Sequence, residues 1–183
     1  MSRITTPTSI DHAPAAAQPW LQEVQKRFGS VPNLFRLMGN SPAALEGHLR
    51  LSDALRKGAL PAATHERIAI AVAAINGCDY CLSAHTYLGK RVSKLDDAEL
   101  ATNRLGASND PHAAAAVRFA AELVRRRGQV AETDVQALKA AGYDAAQLIE
   151  IVLHVALNTW TNYLNLVAQT EIDFPLVRAP EAA

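Results

Sequence analysis

Aromatic side chains make up only 5% of the 183 residues, and cysteine and methionine number two each. Neither sign of charge is in excess, since 18 Lys and Arg stand against 18 Asp and Glu. A neutral balance leaves no electrostatic footprint for nucleic acid or an anionic membrane surface. The short basic run Arg125-Arg126-Arg127 reads as a solvated helix end, where cations complement the helix dipole. No apolar run has the roughly 20 residues that a membrane span needs. The opening residues MSRITTPTSIDHAPAAAQPW lack the apolar centre of a secretory signal, so the expected location is the cytoplasm, where thiols stay reduced. Strand-like alternation of β-branched residues is nearly missing, which argues against a sheet-based fold. What is present is ordinary for a globular domain: 49% hydrophobic and 20% charged residues.

Ala and Leu dominate, and the pattern is helical throughout. Residues 1–17 carry Pro, Ala, Thr and Ser without periodicity and read as a flexible N-terminal arm. PWLQEVQKRFG and VPNLFRLMGN read as short helices, and Ser41 caps a third that starts at Pro42 and runs to about Lys57. Pro61 opens a helix through AATHERIAIAVAAIN; AIAVAAI has strand-like residues, but its Ala content and length favour helix. Asn76-Gly77 interrupts the pattern, and a new helix begins near Cys78 and runs to about Gly89. Ser93 is a candidate cap for KLDDAELATNR, and Asn109 or Asp110 starts PHAAAAVRFAAELVRRR. A short helix follows from Glu132 to Ala141, then a long one from about Asp144 to Thr170, apolar over too wide an arc for a surface helix. The expectation is an all-α bundle of about eight helices, one domain over residues 18–175, with a C-terminal tail over 176–183.

Both cysteines lie in INGCDYCLSAH, residues 75–85. If a helix starts near Cys78, the unsatisfied N–H groups of its first turn favour thiolate over thiol. Cys81 is three residues on, on the same face, and two thiols so placed close a disulfide with little backbone movement. His85, one turn beyond Cys81, can take its proton or pair with its thiolate. The spacing makes Cys81 the activated sulfur and Cys78 its resolving partner. Asp79 complements the helix dipole, while Tyr80 either packs or faces a bound substrate. Glu66 stands twelve residues before Cys78. Along one unbroken helix that is ~18 Å, too far to act, whereas a fold-back at Asn76-Gly77 returns it to the thiols. On its own Glu66 reads as a surface carboxylate, and neighbouring His65 as a surface or cap residue.

THERIAIAVAAINGCDYCLSAH resembles the core motif of the AhpD-like alkylhydroperoxidases of the carboxymuconolactone decarboxylase family. Glu66, Cys78, Cys81 and His85 match that motif at every spacing. FGSVPNLFRLMGNSPAALEGHL and VALNTWTNYLNLVAQTEIDFP resemble the family's longer, peroxidase-related branch, and the likeness runs from Trp20 to Pro175. The enzymes proper carry a further histidine between the cysteines, where this chain has Tyr80. The resemblance implies an all-helical fold, a homo-oligomer (trimer or hexamer) and peroxide reduction without metal or organic cofactor. It also implies Cys81 as the attacking thiolate, Cys78 as resolving thiol, and His85 with Glu66 as proton relay. The partners are then a peroxide and an external dithiol reductant of lipoyl or thioredoxin type.

Alternatives remain open at the level of sequence. The same thiols suit a general disulfide oxidoreductase. Family members without the cysteine pair are decarboxylases, so fold alone leaves the reaction open. Cys78, Cys81, His85 and Glu66 also form a conceivable zinc set. In the last helix, His154, Asn158, Trp160, Asn162 and Asn165 interrupt an apolar segment. They read either as a satisfied core network or oligomer interface, or, for His154 and Trp160, as a pocket lining beside the thiols. His12, His48 and His112 read as surface or packing residues.

Overall fold

The computed structural model describes residues 2–180, so the outer ends of the expected arm and tail, residue 1 and residues 181–183, lie outside the described residues. The described chain is all-helical. Its α-helices are α1 (Gln18–Phe28), α2 (Asn33–Met38), α3 (Pro42–Arg56), α4 (Ala62–Ile75), α5 (Asp79–Arg91), α6 (Asp97–Arg104), α7 (Pro111–Arg125), α8 (Glu132–Ala140) and α9 (Ala145–Ala168). Two 3-10 turns, Ile10–His12 and Ala15–Ala17, precede them.

Capping chemistry explains most boundaries. Ser41, Asp110 and Asp144 each accept first-turn N–H groups of the helix that follows, as N-caps do. Ser93 is not the cap of α6: Asp96 is, accepting Glu99 N at 2.7 Å. A carboxylate is as good a cap as a hydroxyl, and Lys94 between them takes a left-handed φ of 56° that ends the preceding turn.

Helix α4 is the hub, packing against α5, α6, α7 and α9. Every residue from Ile68 to Ala74 is buried, so the second half of α4 is apolar all round, as the centre of a bundle must be. Its alanines let neighbours approach closely. On one side Ile68 and Val72 pack with Ala116, Phe119 and Ala120 of α7, Leu138 of α8 and Ile151 of α9. On the other, Ile70, Ala73 and Ala74 pack with Cys78, Tyr80, Cys81 and Leu82 of α5 and Leu100 of α6. A third cluster joins Leu21 and Val24 of α1 to Met38, Leu45 and Leu49.

The segments at both ends are held more tightly than composition suggests. Ala13 and Ala17 are buried in the third cluster, and Arg3 N donates to Ala168 O at the end of α9. Small side chains and backbone bonds, which leave no periodicity to read, hold residues 2–17 down. After α9 the chain runs without regular structure across the α5 start. There Ile172, Phe174, Val177 and Ala179 pack on the cluster that holds the cysteines.

Candidate active site

The site is built at the reversal between α4 and α5. Gly77 takes φ +70° there, a left-handed conformation that glycine adopts without cost from a Cβ. The chain turns, and α5 runs back along α4. Glu66, early in α4, thereby meets His85, midway along α5: Nδ1 and Oε2 are 2.9 Å apart. The fold-back that the helix interruption suggests is what brings these two residues together.

Cys78 occupies the N-cap position of α5, and its Sγ accepts Cys81 N at 3.4 Å. This is the place usually taken by a serine or aspartate oxygen. Both cysteines are free thiols, 1% and 2% exposed. Asn165 of α9 donates its Nδ2 to Cys81 Sγ at 3.2 Å. These surroundings split the pair. The Cys78 thiol, donating to its neighbour, holds Cys81 down to about 6 against the opposing effect of burial, with help from the His85 charge and the Asn165 and Asn162 amides. Cys78 is pushed up, first by that same hydrogen bond and then by burial. Cys81 is thus the thiolate and Cys78 the thiol. Burial disfavours the charged form of His85, but the Glu66 charge and hydrogen bond outweigh it and raise its pKa. The Glu66–His85 side chains stay 21% and 24% exposed, so the buried sulfurs adjoin a carboxylate–imidazole pair that still touches solvent.

Other candidates fall differently. His154 is buried, and burial with the charges of His65 and His85 lowers its pKa to about 3, leaving the ring neutral. Its ring lies 4.2 Å from that of His65, which is therefore not the surface or cap residue that its sequence position suggests. His48 packs edge-on to Phe35, and burial with the His85 charge lowers it to about 4. Tyr80 is a packed aromatic: its hydroxyl accepts Leu34 N at 3.0 Å and its ring meets Phe174 edge-on. Asp79 holds the tail, accepting Ala179 N at 2.8 Å and pairing with Arg178. Trp160 is not brought to the thiols within the chain; it is 41% exposed on the outer face of α9. His12 is exposed beside Thr8, and His112 stacks on Tyr143. Among the described residues, no three His, Cys, Asp or Glu side chains are grouped as metal ligands.

Asn165 and Asn162 contact chemistry that their sequence setting leaves undecided. The signal for them is spacing: Asn158, Asn162 and Asn165 fall on one helical face of a segment otherwise apolar.

Residues 42–122 match the model of the carboxymuconolactone decarboxylase family. No curated protein matches the chain. Among solved structures, an uncharacterized peroxidase-related protein with an alkylhydroperoxidase AhpD core, from Ralstonia eutropha JMP134, is 27% identical with TM-score 0.83, covering 94% of this chain and 92% of its own. An uncharacterized peroxidase-related protein from Silicibacter sp. TM1040 is 23% identical with TM-score 0.78, over 93% and 94% of the two chains. The debrominase Bmp8, solved with 2,3,4-tribromopyrrole, is 20% identical with TM-score 0.79 and shares 94% of each chain; at that identity it speaks for the fold alone.

Proposed function

We propose, from the premise that the chain belongs to the carboxymuconolactone decarboxylase family and to its AhpD-like, peroxidase-related branch, that it is a thiol-dependent peroxidase. The family and its fold neighbours point to an enzyme, and the neighbours include both peroxidase-related proteins and a debrominase. The reaction therefore has to be argued from this chain's own side chains. The observation that carries the reading is a carboxylate–imidazole pair at 2.9 Å beside a thiol lowered to about 6, with a second, protonated thiol three residues away.

The Cys81 thiolate attacks the outer oxygen of a hydroperoxide. An S–O bond forms, the O–O bond breaks, and sulfur gives up two electrons. His85, its charge supported by Glu66, delivers a proton to the departing alkoxide. Cys78 then condenses with the sulfenic acid, releasing water and leaving a Cys78–Cys81 disulfide. An external dithiol restores both thiols by exchange. Sulfurs 1% and 2% exposed are out of reach of the disulfide of a folded protein, which favours a small substrate such as a peroxide over general disulfide exchange. By the same argument the reductant is a slender dithiol of the lipoyl kind. His154, a buried neutral ring close enough to His85 to feel its charge, is taken as a neighbour of the bound substrate, and the chain is taken to work as a homo-oligomer.

The test is a panel of hydrogen peroxide and alkyl hydroperoxides with a generic dithiol, free thiols being counted before and after. Turnover should be abolished in Cys81→Ser. Cys78→Ser should consume one equivalent of peroxide and stop with a sulfenic acid. A Cys81→Ser variant that keeps full activity means that the sulfur is wrongly assigned. Loss of no thiols on exposure to any peroxide means that the reaction is another one.

A further inference from the structure

Helix α9 turns amides toward the thiols. Asn162 is fully buried and Asn165 is 3% exposed; neither belongs to the Glu–Cys–Cys–His pattern. Asn165 Nδ2 donates to Cys81 Sγ at 3.2 Å. Asn162 Oδ1 accepts Asn76 Nδ2 at 2.9 Å, and Asn76 is the residue that closes α4 at the reversal. That bond fixes the Asn162 carboxamide, leaving its NH₂ pointing away from Asn76. Asn162 Nδ2 is buried near enough to the Cys81 sulfur to favour its thiolate but has no acceptor in good hydrogen-bond geometry, and Asn165 Oδ1 is buried with no donor. Such atoms are rare in folded proteins. Here one is a donor and the other an acceptor, one turn apart on one helix face. Between them they suit a small group that both accepts and donates a hydrogen bond, next to the sulfur that reacts.

We propose that Asn162 and Asn165 form an oxygen cradle at Cys81, in which the Asn165 NH₂ holds the thiolate and the Asn162 NH₂ and Asn165 Oδ1 receive the oxygen that the sulfur takes from a hydroperoxide. The proposal rests on the thiol-peroxidase reading. The step is Cys81–S⁻ + ROOH → Cys81–SO⁻ + ROH: the S–O bond forms, the O–O bond breaks, sulfur is oxidised by two electrons and the peroxide is reduced. The proton of the outer oxygen reaches RO⁻ through His85. Negative charge builds on both oxygens as the bond breaks. A preorganised amide donor at the transferred oxygen is worth most when that charge is largest, as in an oxyanion hole. The same NH₂ then holds the sulfenate, and once it is protonated its hydroxyl donates to Asn165 Oδ1. The sulfenic acid stays oriented for Cys78. The ligand class is a hydroperoxide terminus, a donor and an acceptor on adjacent atoms.

The experiment uses the full chain carrying Cys78→Ser, in which the first step stands alone. Without peroxide, thiolate absorbance is followed against pH. Asn165→Leu should move the midpoint up by about one pH unit, a tenfold change in the ionisation equilibrium. Asn165→Asp, with the same shape and a negative charge, should move it further. With hydrogen peroxide, at a pH where each variant is fully ionised, sulfenic acid formation should slow at least about tenfold in Asn162→Leu. It should slow equally in Asn162→Asp, which keeps the shape and the acceptor for Asn76 but loses the donor. Rates within twofold of the parent at full ionisation, in a parent that does react, overturn the cradle and leave the peroxidase reading standing. A parent that forms no sulfenic acid with any hydroperoxide overturns both.

Discussion

The candidate site treats two chemically identical groups in opposite ways. Cys78 and Cys81 share one helix turn, yet one is held as a thiol and the other as a thiolate because the first donates to the second. The Glu66–His85 pair adds a positive charge at the right place, since its carboxylate keeps the ring protonated above the ordinary histidine range. This fixes the sign of the pH dependence. The rate of thiol oxidation should rise with pH through about 6 as Cys81 ionises, then fall where His85 loses its proton, above its ordinary 6.5. Replacing Glu66 with Gln removes the largest support of the imidazolium. The falling limb should then move to lower pH, the rising limb to higher pH, and the maximum should drop about tenfold or more. Stopped-flow peroxide consumption across pH checks this; a profile unchanged in Glu66→Gln would return the residue to the surface role. That Glu66, Cys78, Cys81 and His85 come together is legible in the sequence because their placement depends on local spacing and one reversal. His65 and Asn162 are not, because their surroundings depend on how α9 is rotated against α4, which no local pattern encodes.

At the scale of elements, α4 and α5 act as one hairpin, and the rest of the bundle keeps them in register. Where caps and glycines mark an end, as at Ser41, Asp110, Asp144 and Gly77, the boundary is readable from residue type. At α6 it is not, because Ser93 and Asp96 are both good caps and only the packing chooses. The packing reason is Glu99, in the first turn of α6. Its Oε1 accepts Arg67 Nε of α4 at 2.6 Å and its Oε2 accepts Asn109 N at 2.6 Å, while Asn103 and Ser108 also donate to it. Those donors outweigh burial and lower its pKa to about 2. Arg67 is itself 11% exposed and sits next to Glu66 in the sequence. Glu99→Gln leaves a buried guanidinium whose remaining ionic partner among the described residues is Asp110, at 3.5 Å. The expected loss is about 3 kcal/mol of unfolding free energy, read by urea titration. The folded-state pKa of Glu99 is depressed, so its contribution is present above the ordinary 4.5 and is lost as pH falls toward about 2. The difference between wild type and Glu99→Gln should therefore shrink over that window. A difference that stays constant down to pH 2 would mean that Glu99 is not the group responsible.

For the molecule as a whole, α9 is amphipathic in the reverse sense. Its buried residues include His154, Asn158, Thr161, Asn162 and Asn165, whereas its outer face exposes Ile149, Leu153, Trp160, Tyr163 and Val167. With Ala156, these outer positions are spaced alternately by four and three residues, the spacing of a helix seam that packs against another helix. The helix has one charged residue, Glu150, and that carboxylate is engaged with Ala59 N and Leu60 N. An uncharged apolar seam on a chain of zero net charge suits neither nucleic acid nor an anionic lipid surface. It suits a second copy of itself. The sequence shows only that the helix is apolar over a wide arc. The apolar side faces outward because the polar side packs inward beside the thiols, so one helix meets the candidate site on one face and leaves the other uncovered. If the chain forms the proposed homo-oligomer, this seam is where it is expected to close. Lysines placed together at Tyr163 and Val167 should lower the sedimenting mass to that of one chain while leaving helical circular dichroism unchanged. Because the same helix carries Asn162 and Asn165, thiolate absorbance should also weaken at neutral pH on dissociation. A wild-type chain that sediments at 19.7 kDa at micromolar concentration removes the seam from the account, and equal mass in the variant places the interface elsewhere.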